Sequence, residues 1–178
     1  MKQLTLFCVL LIFLTQSCKF EDKKTAIQEE SKQTEESNID FPIYDFDGLE
    51  PLLNKEDDKT YIVNFWATWC KPCIEELPDF ERTFAEQKDN KVEMLLVSLD
   101  MPSMWEKRLV PFVKENGLKG EVVILDDPKM NEWIPKIAAN WEGGIPATLI
   151  YNKDKRIFYP HGFTYEELNT ELDKFLSE

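Results

Sequence analysis

The sequence predicts an α/β domain with a central, partly parallel sheet and helices on both faces. Short apolar runs rich in β-branched residues alternate along the chain with longer runs of mixed apolar and charged residues. The short runs are continuously apolar, which is typical of strands covered on both sides. A length of 178 residues with 43% hydrophobic content is enough for one such domain and a tail.

Three apolar runs and one hairpin are the predicted strands. The first is TYIVNFW, and it ends at Trp66; the second and third begin at Val92 (VEMLLVSLD) and Glu121 (EVVILDD). The segment ATLIYNKDKRIFYP is predicted to form a hairpin that turns at residues 152–155. This hairpin adds an antiparallel edge to an otherwise parallel sheet.

Helices are predicted between and after these strands. They cover residues 70–88, 103–116, 128–140 and 164–176. Pro78 and Pro135 are expected to kink or break the first and third helices. Ser103 is the predicted N-cap of the second, and Thr164 with Glu167 forms a capping box at the last.

The first 17 residues are predicted to be a signal peptide. MKQLTLFCVLLIFLTQSC has a basic start and an apolar core that is shorter than the roughly 20 residues of a membrane span. With Ser17 directly before Cys18, the segment resembles a bacterial lipoprotein signal, which implies cleavage before Cys18 and lipidation of that cysteine. An ordinary cleaved signal and an uncleaved anchor are the alternatives.

Residues 18–40 are predicted to be the lipidated cysteine and a flexible acidic tether, and residues 41–178 the folded domain. The tether is polar and charged, so it buries too little surface to offset its ordering entropy. We expect a protein anchored to a membrane through lipid, in the cell envelope and facing the periplasm. A net charge of −13 argues against nucleic acid as a partner.

The cysteine count then leaves one pair in the folded domain. Cys8 lies in the signal peptide and Cys18 is the predicted lipidation site, so Cys70 and Cys73 remain. One pair and a single distant histidine, His161, do not make the four ligands of a structural zinc site, and we predict no metal. A redox dithiol and a static local disulfide stay open at this point.

The start of a helix favours the redox interpretation. Free N–H groups and the positive end of the helix dipole stabilise a thiolate at Cys70, and Lys71 adds a neighbouring positive charge. Pro72 is tolerated in the first turn, where N–H groups have no intrahelical partner. Cys73 lies on the same face, so Cys70 is the predicted nucleophile and Cys73 the resolving thiol. A short loop gives a static disulfide little entropic stabilisation.

VNFWATWCKPC, followed by IEELP, resembles the thioredoxin superfamily, and within it the TlpA/ResA-like membrane-anchored thiol–disulfide oxidoreductases. The resemblance covers about residues 41–178 and implies a thioredoxin-like fold with a strand–helix insertion at residues 121–140. In GGIPATLI it implies a cis-proline at Pro146 that faces the cysteines. The backbone of Ile145 would then pair with a cysteine peptide of the substrate.

Two further residues separate this chain from thioredoxin itself. Glu76 stands three positions after Cys73, where the resembled group carries an acidic residue, and its carboxylate is the candidate proton partner of the thiols. Asn64 replaces the buried aspartate of thioredoxin and cannot titrate. Trp69 is expected to shield the dithiol and contact the substrate, as a binding residue together with Lys71, Pro72, Ile145 and Pro146.

The resemblance implies a thiol–disulfide oxidoreductase that acts on the disulfides of envelope proteins, as a reductant of the cytochrome c maturation type. Its partners would be those cysteine-containing proteins and a membrane thiol electron donor, and it would need no cofactor beyond the Cys70–Cys73 disulfide. A thiol peroxidase on the same fold and a non-catalytic thioredoxin-like binding module are the alternatives. Lys-Pro between the cysteines does not determine the redox potential, so the direction of electron flow stays open.

Overall fold

The structure is a computed structural model that describes residues 39–87 and 89–176. The predicted signal peptide, Cys18 and the predicted tether up to residue 38 lie outside the described residues. The strands are β1 (Ile43–Tyr44), β2 (Thr60–Trp66), β3 (Val92–Ser98), β4 (Glu121–Leu125), β5 (Ala147–Tyr151) and β6 (Arg156–Tyr159). The helices are α1 (Phe46–Leu49), α2 (Lys71–Glu86), α3 (Val110–Asn116), α4 (Met130–Ile137) and α5 (Tyr165–Leu176).

The six strands form one mixed sheet in the order β1–β4–β3–β2–β5–β6. The first four in that order pair in parallel, while β5 and β6 pair antiparallel at the other edge. This confirms the predicted α/β class, with its central sheet, its helices on both faces and its closing hairpin. The predicted insertion contributes β4, which lies inside the sheet between β1 and β3.

Strand β2 is buried on both faces, and its side chains alternate between two apolar clusters. Ile62 and Trp66 pack with residues of α2, α3 and α5, on the side that we call the α2 face. Tyr61, Val63 and Phe65 pack with residues of α1 and α4, on the side that we call the α4 face. By the same alternation, Asn64 lies on the α2 face between Ile62 and Trp66.

Helix α2 runs without a break from Lys71 to Glu86, so of the predicted kink or break at Pro78 the break is wrong. Proline removes one intrahelical hydrogen bond, and the burial of Leu77 and Phe80 on either side holds the helix together across that gap. Helix α4 likewise continues through Pro135 to Ile137. In both helices, packing against the sheet outweighs the local preference of proline.

The predicted N-cap at Ser103 is also wrong. Ser103 lies inside a 3₁₀ turn, Pro102–Met104, which leads into a π-helical turn, Trp105–Leu109, and then into α3. The Trp105 indole Nε1–H donates to the backbone oxygen of Asp100, over 2.6 Å, and ties the segment to the end of β3. The bond joins residues five positions apart, and the N-cap pattern at Ser103 did not include it.

The last helix begins as predicted. The Thr164 backbone N–H donates to the Glu167 carboxylate at 2.9 Å, and the Glu167 N–H donates back to Thr164 Oγ1 at 3.4 Å. The hairpin also turns at residues 152–155, where Asn152 N–H donates to the Lys155 carbonyl. No helix within the described ranges is long and apolar enough to span a membrane.

Candidate active site

The two cysteines of the folded domain lie at the start of α2 and are joined by a disulfide. Their Cα atoms are 5.3 Å apart. Cys70 is the N-cap residue of the helix, and the Cys73 backbone N–H donates to Cys70 Sγ at 3.3 Å. The Cys70 sulfur therefore lies where unpaired N–H groups and the helix dipole stabilise negative charge.

The environments of the two sulfur-bearing residues differ. Cys73 is completely buried, whereas Cys70 keeps 5% of its surface exposed, and Trp69 beside it is 49% exposed. An incoming sulfur atom can therefore approach Cys70 and not Cys73. Trp66, by contrast, is fully buried and packs its ring against Phe112 in the core.

The turn that leads into Cys70 is held by a buried carboxylate. Asp100 accepts hydrogen bonds from the Thr68 backbone N–H at 3.0 Å and from the Thr68 hydroxyl at 2.6 Å. The Ser98 hydroxyl donates to the same carboxylate at 2.9 Å. Because Trp66 and Ser98 are paired at the ends of β2 and β3, Asp100 is in place to fix the start of the turn.

The Ile145–Pro146 peptide bond is cis, as the resemblance implied. Strand β5 begins at the next residue and pairs antiparallel with β2, with Ala147 opposite Phe65. The cis bond is thus placed beside the carboxyl end of the strand that leads to the cysteines. The Trp141 indole N–H donates to the Gly144 carbonyl at 2.8 Å and anchors the segment before Pro146.

Glu76 is buried one helical turn after Cys73, with 5% of its surface exposed. Asn64 Nδ2 donates to its Oε1 at 2.8 Å, and the Phe163 backbone N–H donates to its Oε2 at 2.8 Å. A Cβ atom placed on Gly162 would lie 2.9 Å from Glu76 Oε2 and 3.1 Å from Pro146 Cγ. The carboxylate and the cis-proline therefore both border Gly162, where only glycine leaves room for them.

Burial raises the pKa of the Glu76 carboxyl from 4.5 to about 7. The hydrogen bonds from Phe163 and Asn64 and the proximity of His161 oppose this rise, while Asp79 adds to it slightly. A carboxyl with a pKa near neutrality can both take and give a proton at physiological pH. Such a perturbed group beside a redox disulfide is a candidate for catalysis.

The neighbouring Glu75 lies in a different environment. Its carboxylate pairs with the Lys71 ammonium at 3.2 Å, and both side chains are largely exposed. Much of the Lys71 charge that was expected to act on Cys70 is therefore compensated by Glu75 and screened by water.

An apolar groove of about 320 Å³ opens beside Trp69 and Ile145, the residues that directly precede Cys70 and Pro146. Met101 and Met130 line it with exposed side chains, and Trp133 forms part of its floor. Asp126 and Asp127 add negative charge to the wall. The groove thus reaches the residues next to the disulfide and next to the cis-proline.

Within the part of the chain that the structure describes, no three His, Cys, Asp or Glu side chains converge as metal ligands.

Comparison with known proteins decides the family. The AhpC/TSA family matches residues 34–159, which is well over half of the chain and includes both cysteines, Glu76 and Pro146. The chain belongs to the AhpC/TSA family. The match ends before the loop that carries Gly162 and Phe163, so part of the Glu76 environment lies beyond it.

Relatives of this AhpC/TSA chain carry the name Thiol-disulfide oxidoreductase ResA. One from Halalkalibacterium halodurans is 30% identical over 126 residues, 71% of this chain and 66% of the relative. One from Bacillus thuringiensis subsp. konkukian is 31% identical over 151 residues, 85% of this chain and 81% of the relative. The chain spans just under two thirds of the first of these, and 62–63% of several other ResA relatives. The ResA-like resemblance predicted from the sequence is confirmed.

A solved structure confirms the thioredoxin-like fold of this AhpC/TSA chain. The thioredoxin-related protein from Neisseria meningitidis serogroup B superposes with a TM-score of 0.58 at 22% identity. The superposition covers 68% of this chain and 88% of the other.

Sequence patterns missed three contacts of the site. The alternation along β2 indicates that Asn64 faces α2, but not that it reaches Glu76. The backbone N–H of Phe163 comes from a loop 87 residues further along the chain. The contact of Asp100 could have been predicted. Asp100 follows the buried strand β3, and the parallel strand beside it, β2, leads to Cys70, so the ends of the two strands lie together.

Proposed function

We propose that this protein is a thiol–disulfide oxidoreductase that reduces disulfides of cysteine-containing proteins outside the cytosol. The observation that carries the proposal is the juxtaposition of three features: the Cys70–Cys73 disulfide at the start of α2, the cis bond at Pro146 and the buried carboxyl of Glu76. The names of the ResA relatives support the same activity.

The proposed reaction begins with the reduced dithiol. The Cys70 thiolate attacks one sulfur of the substrate disulfide, forms a mixed disulfide and releases the other substrate sulfur as a thiolate, which takes up a proton. The Cys73 thiolate then attacks Cys70 Sγ and releases the second substrate thiol. The substrate gains two electrons, and the protein is left with the Cys70–Cys73 disulfide seen in the structure. The greater exposure of Cys70 supports this division of roles.

Glu76 is the proposed proton partner of Cys73. The Cys73 thiol must lose its proton before it attacks, and a carboxylate one helical turn away can accept that proton. When a donor reduces the disulfide, the same group returns a proton to the leaving sulfur. A pKa of about 7 suits both directions, because neither protonation state of Glu76 is then rare at neutral pH.

The groove beside Trp69 is the proposed contact surface for the substrate. An extended cysteine peptide that pairs with the backbone of Ile145 would place its neighbouring side chains against Trp69, Met101 and Met130. Apolar and methionine-rich walls adapt to different sequences, which suits an enzyme that acts on several proteins. Lys71 and Pro72 would border the same peptide.

The proposed location is the cell envelope, facing the periplasm, with a lipid anchor at Cys18 followed by a flexible tether. The sequence around Cys18 supports the anchor, and the predicted signal peptide leads out of the cytosol, into a compartment where substrate disulfides persist. A membrane thiol protein is the proposed electron donor, because each turnover leaves the dithiol oxidised and it must be reduced again.

Trapping of the mixed disulfide tests the proposal. Cys73→Ser should accumulate disulfide-linked envelope proteins on Cys70, and the matched variant Cys70→Ser should accumulate none. If Cys73→Ser traps no partner, the proposed activity is wrong. Rapid consumption of peroxide by the reduced wild-type protein would instead favour the thiol peroxidase alternative.

A further inference from the structure

The side chain of Asn64 is completely buried, and its oxygen has no hydrogen-bond partner among the described residues. Asn64 Nδ2 donates to Glu76 Oε1 at 2.8 Å and to Thr148 Oγ1 at 3.3 Å. Asn64 Oδ1, in contrast, is a buried acceptor without a hydrogen bond. Buried amide oxygens are rarely left unsatisfied, since the loss costs about 1–3 kcal/mol. The chain thus keeps an unused acceptor next to its buried carboxyl group.

The two protonation states of Glu76 need opposite partners. As a carboxylate, Glu76 only accepts hydrogen bonds, and the Nδ2 group of Asn64 satisfies Oε1. As a carboxylic acid protonated on Oε1, Glu76 becomes a donor at that atom and needs an acceptor. The Nδ2 group then faces a second donor at 2.8 Å, and the unused oxygen is on the other side of the same amide.

We propose that Asn64 is a positioning residue whose side-chain amide rotates by a half-turn about the Cβ–Cγ bond when Glu76 changes its protonation state. With Glu76 charged, Nδ2 donates to Oε1. With Glu76 neutral, Oδ1 takes the place of Nδ2 and accepts the carboxylic proton. This inference rests on the proposed function, in which Glu76 gains and loses a proton during each turnover.

The two orientations of the Asn64 amide fill the same space. The oxygen and the NH₂ group of an amide have nearly the same size, so a half-turn about the Cβ–Cγ bond changes no buried volume. Thr148 accommodates both orientations, because its hydroxyl accepts a hydrogen bond from Nδ2 and can donate one to Oδ1. An aspartate at this position would supply an acceptor in both states but no donor for the carboxylate.

The other partners of Glu76 do not replace this role. The Phe163 backbone N–H donates to Oε2 and is a donor in both states. The other titratable groups near Glu76 are His161, from the loop after β6, and Asp79, from α2 itself. Neither of them forms a hydrogen bond with the Glu76 carboxyl in the structure. Among the residues that the structure describes, Asn64 is thus the side chain that can offer either a donor or an acceptor to Glu76 Oε1.

Nuclear magnetic resonance of the full, oxidised chain tests the proposal. The side-chain NH₂ of Asn64 should show nuclear Overhauser contacts to Thr148 at high pH, because Nδ2 lies 3.3 Å from the Thr148 hydroxyl oxygen. As the pH falls through about 7, these contacts should be lost. Their midpoint should equal that of the change in chemical shift of the Glu76 carboxyl carbon.

Two controls accompany that measurement. Asn169 Nδ2 donates to Thr83 Oγ1 at 2.9 Å and to the Tyr165 carbonyl, so its contacts should not change over the same range. Glu76→Gln removes the titration, and the Asn64 contacts should then be independent of pH.

The outcomes separate this inference from the proposed function. If the Glu76 carboxyl carbon titrates while the contacts of Asn64 with Thr148 persist unchanged, the amide does not turn over and the inference is wrong, but the proposed function stands. If the carboxyl carbon shows no titration between about pH 5 and about pH 9, Glu76 is not a proton partner, and both the inference and the proton step of the proposed function fail.

Discussion

The two faces of the sheet use the same strands for different purposes. On the α4 face, Trp141 packs against Phe65, Trp133 and Phe158, with ring centroids 4.9–5.8 Å apart. On the α2 face, the same strand β2 presents Asn64 to the buried carboxyl of Glu76. The aromatic cluster of the α4 face maximises apolar contact. The α2 face, in contrast, keeps the Glu76 carboxyl, whose charged form is disfavoured by burial.

The two faces of the sheet therefore have different roles, one in the stability of the fold and the other in the chemistry of the dithiol. The aromatic cluster of the α4 face stabilises the fold, while the α2 face gives up some of that stability for a carboxyl with a pKa near 7. Substitutions on the α4 face should therefore affect unfolding, and those on the α2 face should affect the response of the dithiol to pH.

The largest effect is expected from Cys70→Ser. The alcohol is a far weaker nucleophile than the thiolate, so reduction of a protein disulfide should fall to the background rate. Insulin reduction, followed by turbidity, measures it. Retention of a substantial rate by the variant would show that the α2 face does not carry the chemistry.

Phe65→Ala should lower the free energy of unfolding by about 3–5 kcal/mol, because it leaves a cavity against Trp141 on the α4 face. The Cys70–Cys73 reduction potential of the folded variant should remain that of the wild type. Denaturant titration and equilibration with glutathione measure the two quantities. A large change in potential would contradict the division between the faces.

The pH dependence of stability should reveal Glu76 directly. Because burial raises its pKa from 4.5 to about 7, the folded protein holds a proton that the unfolded chain releases between these values. The stabilisation from that proton is complete at low pH, and stability should fall by on the order of 3 kcal/mol as the pH rises through this window.

Denaturant titrations from about pH 4.5 to about pH 8 measure this slope, with Glu76→Gln as the variant and Glu75→Gln as the matched control. Glu76→Gln should flatten the curve, and Glu75→Gln, on the exposed side of the same helix turn, should leave it unchanged. Equal slopes in all three proteins would show that Glu76 does not titrate in this range.

Trp69→Ala should weaken substrate binding with little effect on the chemical step. Loss of an exposed aromatic contact at the groove should raise KM for a protein substrate about tenfold and leave kcat nearly constant. Steady-state kinetics with an unfolded protein substrate that carries a disulfide separates the two constants. A fall in kcat alone would mean that Trp69 acts on the dithiol and not on the substrate.

The smallest effect is expected at the solvent-exposed start of α2. Lys71→Gln removes an ion pair with Glu75 whose members are largely in water, and stability should change by no more than about 0.5 kcal/mol. Thermal or chemical unfolding at low and moderate salt measures it. A larger loss would mean that Lys71 acts on the cysteines more strongly than its exposed position indicates.

Much of the fold could be predicted from the sequence because the strongest signals are local. The apolar run of β2, the hairpin at residues 152–155 and the capping box of α5 all involve residues close along the chain. The errors arose at Pro78, which packing holds inside an unbroken α2, and at Ser103, which lies inside a 3₁₀ turn and does not cap a helix.

The site could be predicted in part for the same reason. Cys70, Cys73 and Glu76 follow one another on one helix, so their spacing alone places them on neighbouring turns. The partners of Glu76 come from β2 and from the loop after β6, and no local pattern joins these segments. The unpaired oxygen of Asn64 is a property of the assembled site and has no counterpart in the sequence.

The most direct test of the account compares how fast a phosphine reductant reduces the disulfide in the wild type and in Glu76→Gln, as a function of pH. The ratio of the two rates cancels the titration of the reductant. The account predicts that the wild type is faster at low pH, where Glu76 can protonate the leaving Cys73 sulfur, and that the ratio falls with a midpoint of about 7. A ratio that stays constant over the whole pH range would contradict a role for Glu76 in the chemistry of the dithiol.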